Sequence, residues 1–552
     1  MRCPGRKRAG RGPVGAYHGG MLRPIADVAA SLGLPADAVV PYGAHKAKVD
    51  LAVLDEGPPR GRLVLVSAIT PTKAGEGKTT VSVGLAMGLE AIGVRSAVCL
   101  REPSLGPVFG IKGGGTGGGR AQVEPADEIN LHFTGDIHAI GAAHNLLAAL
   151  VDNELHFGGE RLLDPRRVTW PRVLDMNDRA LRAIVVGLGG RTGGVPRESR
   201  FDITAASEVM AIHGLSESME DLERRLGRIV VGRDRTRRPV TAADLGAPSA
   251  MAVLLREALR PNLVQTREGT PAFVHGGPFA NIAHGCSSAL ATRVALRSAE
   301  VVVTEAGFGF DLGGEKFLHI KARGAGLWPE AVVLVATVRA LRAHGGGDLA
   351  AGFANLDHHL RSVRAFGLQP VVAVNVFPDD TPEDLRQVLQ HCERQGVPAA
   401  PCRAFAEGGE GATDLARTVQ QALRPSAPRF LYELDAPYVQ KIEAVARTLY
   451  GASGVTLSPQ ALRGLREIEE AGLHLPICVA KTPLSLSDDP KRGGLPRGDY
   501  DIHVTSVRLS AGAGFVVVLL GDVMTMPGLP REPAARRIRI EDGRAVGLLQ
   551  GE

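Results

Sequence analysis

Between an apolar run at residues 63–69 and a helical pattern at 79–92 lies Thr70-Pro71-Thr72-Lys73-Ala74-Gly75-Glu76-Gly77-Lys78-Thr79-Thr80. A strand, a glycine-bearing turn and a helix start together cradle anions, because backbone N–H groups converge there and the helix dipole adds positive potential. In such a cradle Lys78 reaches the β- and γ-phosphates of a nucleotide, and the Thr79 hydroxyl ligates Mg²⁺. Residues Thr72, Lys73, Ala74, Gly75, Glu76, Gly77, Lys78 and Thr79 are therefore assigned to nucleotide binding. The P-loop pattern GxxxxGK[ST] is met except at its first glycine, where Thr72 stands. Lys73 falls where one branch of P-loop ATPases keeps a second lysine. The bland alternative is a chance glycine-rich turn.

Other residues fit the same chemistry. Arg101 follows an apolar run ending at Leu100, where α/β sheets place ligands. A guanidinium there holds a carboxylate or phosphate through two parallel hydrogen bonds, or is simply a surface Arg. The stretch 110–120, dense in glycine, carries Lys112 and Arg120 at its ends and suits an approaching anion, a mobile lid or a plain linker. Glu305 follows the run 301–304 and is either a Mg²⁺ or water contact or a surface carboxylate. His132, His138 and His144 recur every six residues, a spacing that does not share one helical face, so a structural role is expected. Asp357-His358-His359 reads as a solvated stretch, whereas the polar groups of 275–285 could line a cleft.

These residues need elements to position them. Short continuous apolar runs, many rich in Val, recur at 63–69, 183–188, 301–304, 332–335, 371–376 and 516–520, and read as strands buried on both faces. Helical patterns at 79–92, 202–212 and 382–394 alternate with them. The expected class is α/β, a P-loop-containing, mostly parallel, doubly wound sheet with additional α/β domains. The expected division is a basic disordered tail at 1–20, a nucleotide-binding domain at 21–160 and 265–365, an inserted α/β domain at 161–264, and a C-terminal domain at 366–552.

The 552 residues carry a formal charge of +5. Arg2, Arg6, Lys7, Arg8 and Arg11 account for all of it, so the charge gives no sign of a nucleic-acid surface. There are 69 glycines where about 39 would be usual, a surplus of backbone that turns tightly or approaches ligands. No apolar run approaches the roughly 18 residues of a membrane span. Six cysteines without CxxC pairing fit reduced thiols in the cytoplasm.

Taken together these segments resemble formate–tetrahydrofolate ligase, also called 10-formyltetrahydrofolate synthetase, from about residue 41 to 549. Residues 110–120 are similar to that family's G-x-K-G-G-A-A-G-G-G-Y run, and 335–346 match its second signature without departure. The stretches 101–107, 130–145, 201–212, 271–286, 481–490 and 509–530 agree as well. The resemblance implies a three-domain α/β subunit in a homotetramer, with ATP, Mg²⁺ and an activating monovalent cation (K⁺ or NH₄⁺). It implies a reaction of formate with tetrahydrofolate through formyl phosphate, in which Lys78 and Arg101 are catalytic. It also implies that Phe377 and Phe405 sandwich the pterin of the folate by offset stacking.

The sequence departs from the family pattern at several places. Gly115-Thr116 replaces Ala-Ala, Arg120 replaces Tyr, and Val376 stands where a basic residue is usual. Phe405 stands for Trp, Glu407 for Lys, and Pro483-Leu484 for Gln-Tyr. Most fall on the folate side, so the expectation is intact handling of ATP and formate with a weaker or altered hold on folate. Two rival readings are a P-loop switch ATPase of the partition-protein kind and a family homologue that has altered or lost its folate acceptor.

Overall fold

The computed structural model describes residues 22–548, apart from 56, 58, 59, 113, 159–162, 497 and 522. The tail expected at 1–20 lies outside them. The runs at 63–69, 301–304, 332–335 and 371–376 lie in one twelve-stranded sheet. Its main path uses β1 (Val39–Pro41), β2 (Ala47–Val49), β3 (Arg62–Ala68), β4 (Ser96–Leu100), β5 (Asn262–Thr266), β6 (Pro271–Val274), β7 (Val301–Glu305), β8 (Ala331–Ala336), β9 (Pro370–Asn375) and β10 (Ala399–Cys402). The order is β1-β2-β5-β6-β4-β7-β3-β8-β9-β10. From β6 to β10 every pairing is parallel, while β5 and the β1–β2 pair are antiparallel additions at one edge.

Alternation along each strand explains why both faces are covered. Leu63 and Leu65 enter one core, and Val64 and Val66 enter the other. Helix α1 (Lys78–Ala91) and helix Thr413–Ala422 close one face; Ala289–Ser298 and Leu349–Ala365 close the other. Each such fully buried aliphatic contributes about 1.5–3 kcal/mol relative to exposure, so a run without a polar face is stable only between two layers. A third core joins helix Glu208–Leu215 and its neighbours to a separate sheet made of β11 (Ile477–Ala480), β12 (Ser506–Ser510) and β13 (Phe515–Leu519). Val516 and Val518 face the first core and Phe515 and Val517 the third, so this small sheet is shared between them. No helix among the described residues is long and apolar enough to cross a membrane.

Three expectations are corrected. The boundary placed at 366 falls inside the large sheet, because β9 pairs with β8 and β10 with β9. The run 183–188 is not a strand buried on both faces. Ile184–Val186 forms an antiparallel hairpin with Arg197–Ser199, and Val185 and Leu188 are exposed. Residues 202–212 are not one helix: Phe201–Ile203 is a strand, and the helix starts only at Glu208, where the Ser207 hydroxyl caps it by accepting from the Met210 N–H (3.1 Å).

Candidate functional site

Parallel strands leave all their carboxyl ends on one edge of the sheet, and ligands bind there, where the chain order reverses. Central β3 is that reversal: β4 and β7 lie on one side of it and β8 on the other. The candidate residues sit just beyond these ends. The 70–77 loop follows β3, Arg101 follows β4, and Glu305 ends β7. Thr337 and Arg339 follow β8, Phe377 follows β9, and Phe405 follows β10.

The 70–77 loop is held in shape mainly by Glu76. Its buried carboxylate accepts from the Thr72 N–H (2.7 Å), the Thr72 hydroxyl (2.8 Å) and the Thr337 hydroxyl (2.6 Å). Arg339 donates to the Gly75 carbonyl (2.6 Å) and Asn375 to the Glu76 carbonyl (3.1 Å). Gly77 caps α1 at φ 71°, a left-handed conformation, and a Cβ there would lie 2.4 Å from the Asn375 amide nitrogen. Lys78 and Thr79 open the helix, both half-buried, while Lys73 and Ala74 are exposed. The Thr79 hydroxyl donates to Glu305 (3.0 Å), and Glu305 is buried rather than a surface carboxylate. Replacing Glu76 with Gln turns one acceptor oxygen into a donor facing donors. The expected loss is about 2 kcal/mol of stability, measured by chemical denaturation of the unliganded protein.

Sequence reasoning missed the support beneath this loop. Asn355 donates to the Thr70 hydroxyl (3.0 Å) and accepts from its N–H (3.3 Å), and His344 Nε2 meets the Thr70 carbonyl (2.7 Å). His359 Nε2 lies 3.0 Å from the Thr70 hydroxyl. The stretch 357–359 is thus not solvated: His358 and His359 are buried, and burial pushes His359 down to about 3, keeping it neutral. A signal that could have found it is the helical spacing of Leu349, Phe353, Leu356, Leu360 and Val363, directly after the 335–346 segment, which would have buried one face of 349–365.

Arg101 is half-buried and donates to the Pro278 carbonyl (3.3 Å), while its buried Nε has no partner among the described residues. A Cβ at Gly307 would stand 3.3 Å from both terminal guanidinium nitrogens, so the missing side chain leaves the guanidinium its place. The next residue, Phe308, takes φ 62°, unusual for a bulky side chain and a mark of a constrained turn beside the site. Of the 275–285 polar groups, His275 is structural, bonded to Ser288 (2.6 Å) and the Ala258 carbonyl (2.7 Å). His284 is wholly buried, and among the described residues neither ring nitrogen has a hydrogen-bond partner. Burial, then the charges of Lys321 and Arg101, hold its pKa well below the ordinary value. Next to Arg101, burial and the nearby Asp136 raise the Glu102 carboxyl well above its usual range, and its Oε2 is unpartnered. His144 stacks on Trp170 with centroids 4.2 Å apart, and among the described residues no cluster of three metal-ligating side chains occurs.

Phe377 and Phe405 follow neighbouring strands, with Asn375 opposite Cys402. Phe377 is half-buried under the Arg339 guanidinium, 4.4 Å above the ring centroid. Phe405 is 51% exposed and packs on the glycine-rich stretch: a Cβ at Gly118 would lie 3.1 Å from its ring. The C-terminal part of that stretch is organised, since Gly117–Gly118 pairs with the strand Ala121–Glu124 and the Arg120 N–H donates to the Phe405 carbonyl (2.8 Å).

Comparison with known proteins bears on all of these loops at once. Residues 18–549 match the family model described as formate–tetrahydrofolate ligase. The formate–tetrahydrofolate ligase of Myxococcus xanthus (strain DK1622) is 56% identical over 550 residues, spanning 96% of this chain and 100% of that protein. Those of Paracoccus denitrificans (strain Pd 1222) and Nocardioides sp. (strain ATCC BAA-499 / JS614) are each 56% identical, spanning 95% and 96% of this chain and 97% and 98% of their own.

Proposed function

The chain belongs to the formate–tetrahydrofolate ligase family, and from that premise we propose that its parallel-strand ends form the centre for ATP-dependent joining of formate to tetrahydrofolate. The products are 10-formyltetrahydrofolate, ADP and phosphate. The family match runs over nearly the whole chain, which sets the switch-ATPase reading aside.

Formate is a poor acyl donor because its oxygen leaves badly. In the first step a formate oxygen bonds to the γ-phosphorus of ATP while the bond to the bridging oxygen breaks and ADP departs, giving formyl phosphate. Folate N10 then bonds to the formyl carbon, the carbon–oxygen bond to phosphate breaks with its electron pair, and N10 gives up its proton. The 70–77 loop acts as a P-loop: its amides, the α1 N-terminus and the Lys78 ammonium neutralise the charge that spreads over the transferring phosphoryl. Arg101 holds formate, then formyl phosphate, in line. The observation that carries this reading is the seating of Arg101 on Gly307, two residues beyond the Glu305 that bonds Thr79. Two hard oxygen donors 3.0 Å apart suit Mg²⁺, so Thr79 and Glu305 would hold it. Bound there, Mg²⁺ supplies charge neutralisation on the phosphoryl oxygens. A monovalent cation, K⁺ or NH₄⁺, would have the unpartnered, buried Glu102 oxygen as a ligand, its charge countering the burial that otherwise keeps this carboxyl protonated.

Phe377 and Phe405 form the pterin slot. The test mixes the protein with MgATP, formate and tetrahydrofolate and follows product after acid conversion to the absorbing methenyl form. Phe377→Ala is expected to raise KM for tetrahydrofolate about ten-fold, the worth of one buried ring face, with KM for ATP unchanged. Formate-dependent ADP release without the methenyl signal would instead favour a changed acceptor. An ordinary folate KM that Phe405→Trp fails to alter would show that the departure at 405 has no consequence.

The exposed Phe157, Val253, Leu188 and Ile540 support self-association, with four copies as the resemblance implies. Cys99, Cys286, Cys392, Cys402 and Cys478 are free and buried, which supports a reducing, cytoplasmic setting.

A further inference from the structure

We propose that Arg339 is a positioning residue that couples nucleotide occupancy of the 70–77 loop to binding of the folate ring; this rests on the reading of Phe377 as part of the pterin slot. Arg339 lies in the first turn of helix α2 (Val338–His344). That helix start is tied to the loop twice. Thr337, its N-cap, donates its hydroxyl to Glu76 (2.6 Å), and Arg339 donates to the Gly75 carbonyl (2.6 Å). The same guanidinium lies 4.4 Å from the Phe377 ring centroid. One guanidinium therefore both bonds the loop and lies over an aromatic face, a pairing that the point charge of Lys would not reproduce. Among the described residues Arg339 forms no ion pair within 4.0 Å, although the Asp380 carboxylate lies within its electrostatic reach. On the other side, the Phe377 N–H donates to Asp380 (2.8 Å), which fixes the ring's backbone to its own turn.

The direction of coupling follows from what each ligand orders. A nucleotide filling the loop fixes the Gly75 carbonyl, which fixes the guanidinium and hence the tilt of the Phe377 ring. Folate then meets a slot already formed and binds more tightly. Linkage requires folate to tighten nucleotide binding by the same factor.

The experiment measures the tetrahydrofolate Kd by anaerobic calorimetry with and without saturating MgADP. For the unaltered protein, Kd is expected to fall about two- to five-fold with MgADP, the worth of one exposed cation–π contact. In Arg339→Gln, an exposed position, that ratio falls to one while nucleotide-free folate binding weakens little. Phe377→Leu, which keeps an apolar side chain but removes the π-face, abolishes the ratio independently. A ratio of one in the unaltered protein, or an undiminished ratio in Arg339→Gln, overturns the coupling. If Phe377→Leu leaves the nucleotide-free Kd unchanged, the slot reading fails and the coupling with it. If Phe377→Leu weakens folate binding but Arg339→Gln keeps the ratio, the coupling alone fails.

Discussion

Lys78→Ala is expected to lower kcat/KM for formation of 10-formyltetrahydrofolate by about 10³-fold, the upper range for losing one preorganised charged donor at a transferring group. Phosphoryl transfer leaves little covalent work to the protein, so positioning and charge neutralisation supply nearly all the acceleration. Lys78 is the first residue of α1, directly after the left-handed Gly77, so its ammonium acts where the helix amides already converge. Loss of the side chain removes the one full positive charge that the helix end carries. Ala is a good helix former, and the position is half-buried, so the fold should persist. The comparison is therefore activity against an unchanged melting curve, with MgATP varied from well below its KM and formate and folate saturating. A variant that keeps a tenth of the rate would remove Lys78 from the catalytic role.

What was legible in the sequence was local. The strand–glycine–helix punctuation around 63–92 put the loop within one residue of its place, and helix Pro382–Arg394 was readable to its ends. Its Thr381 cap, first-turn Pro382 and first-turn Glu383 and Asp384 are all written within four residues. What could not be read depends on pairing across long stretches of chain. Glu76 was read only as part of the nucleotide loop; its bracing bond to Thr337, just past a strand end and 261 positions away, could not be seen in the sequence. His359 looked solvated because a polar triplet gives no hint that Thr70 lies against it. The run 183–188 has the apolar content of a buried strand, but an apolar run does not say how many layers will cover it. The boundary at 366 failed for a related reason: sheet continuation from β8 to β9 is set by register, not by a change of composition. Phe377 and Phe405 were proposed for the folate side only through resemblance, since a Phe after a strand is most often core.

Arg101 offers the second large effect, and its glycine neighbour separates charge from placement. Arg101→Ala is expected to lower kcat/KM for formate by about 10²- to 10³-fold, since a carboxylate held bidentately loses both charge-assisted bonds. Arg101→Lys should recover little, because a point charge cannot reproduce the fork. Gly307→Ala leaves the guanidinium in the protein but crowds it. The new methyl would stand 2.5 Å from the Ala280 Cβ and 3.3 Å from both terminal nitrogens, so the 280 or 307 backbone must shift and the guanidinium must yield with it. A displacement of about 1 Å at a reacting centre costs roughly 10²-fold. Formate titrations at saturating ATP and folate should therefore show KM for formate rising about ten-fold or more in Gly307→Ala, with KM for ATP little changed. If Gly307→Ala matches the unaltered protein while Arg101→Ala is inactive, charge alone matters and the close seat on Gly307 does not. If both lose formate selectively, the absence of a side chain at 307 is part of how the site aims its guanidinium, because the charge is still present and only its position has changed.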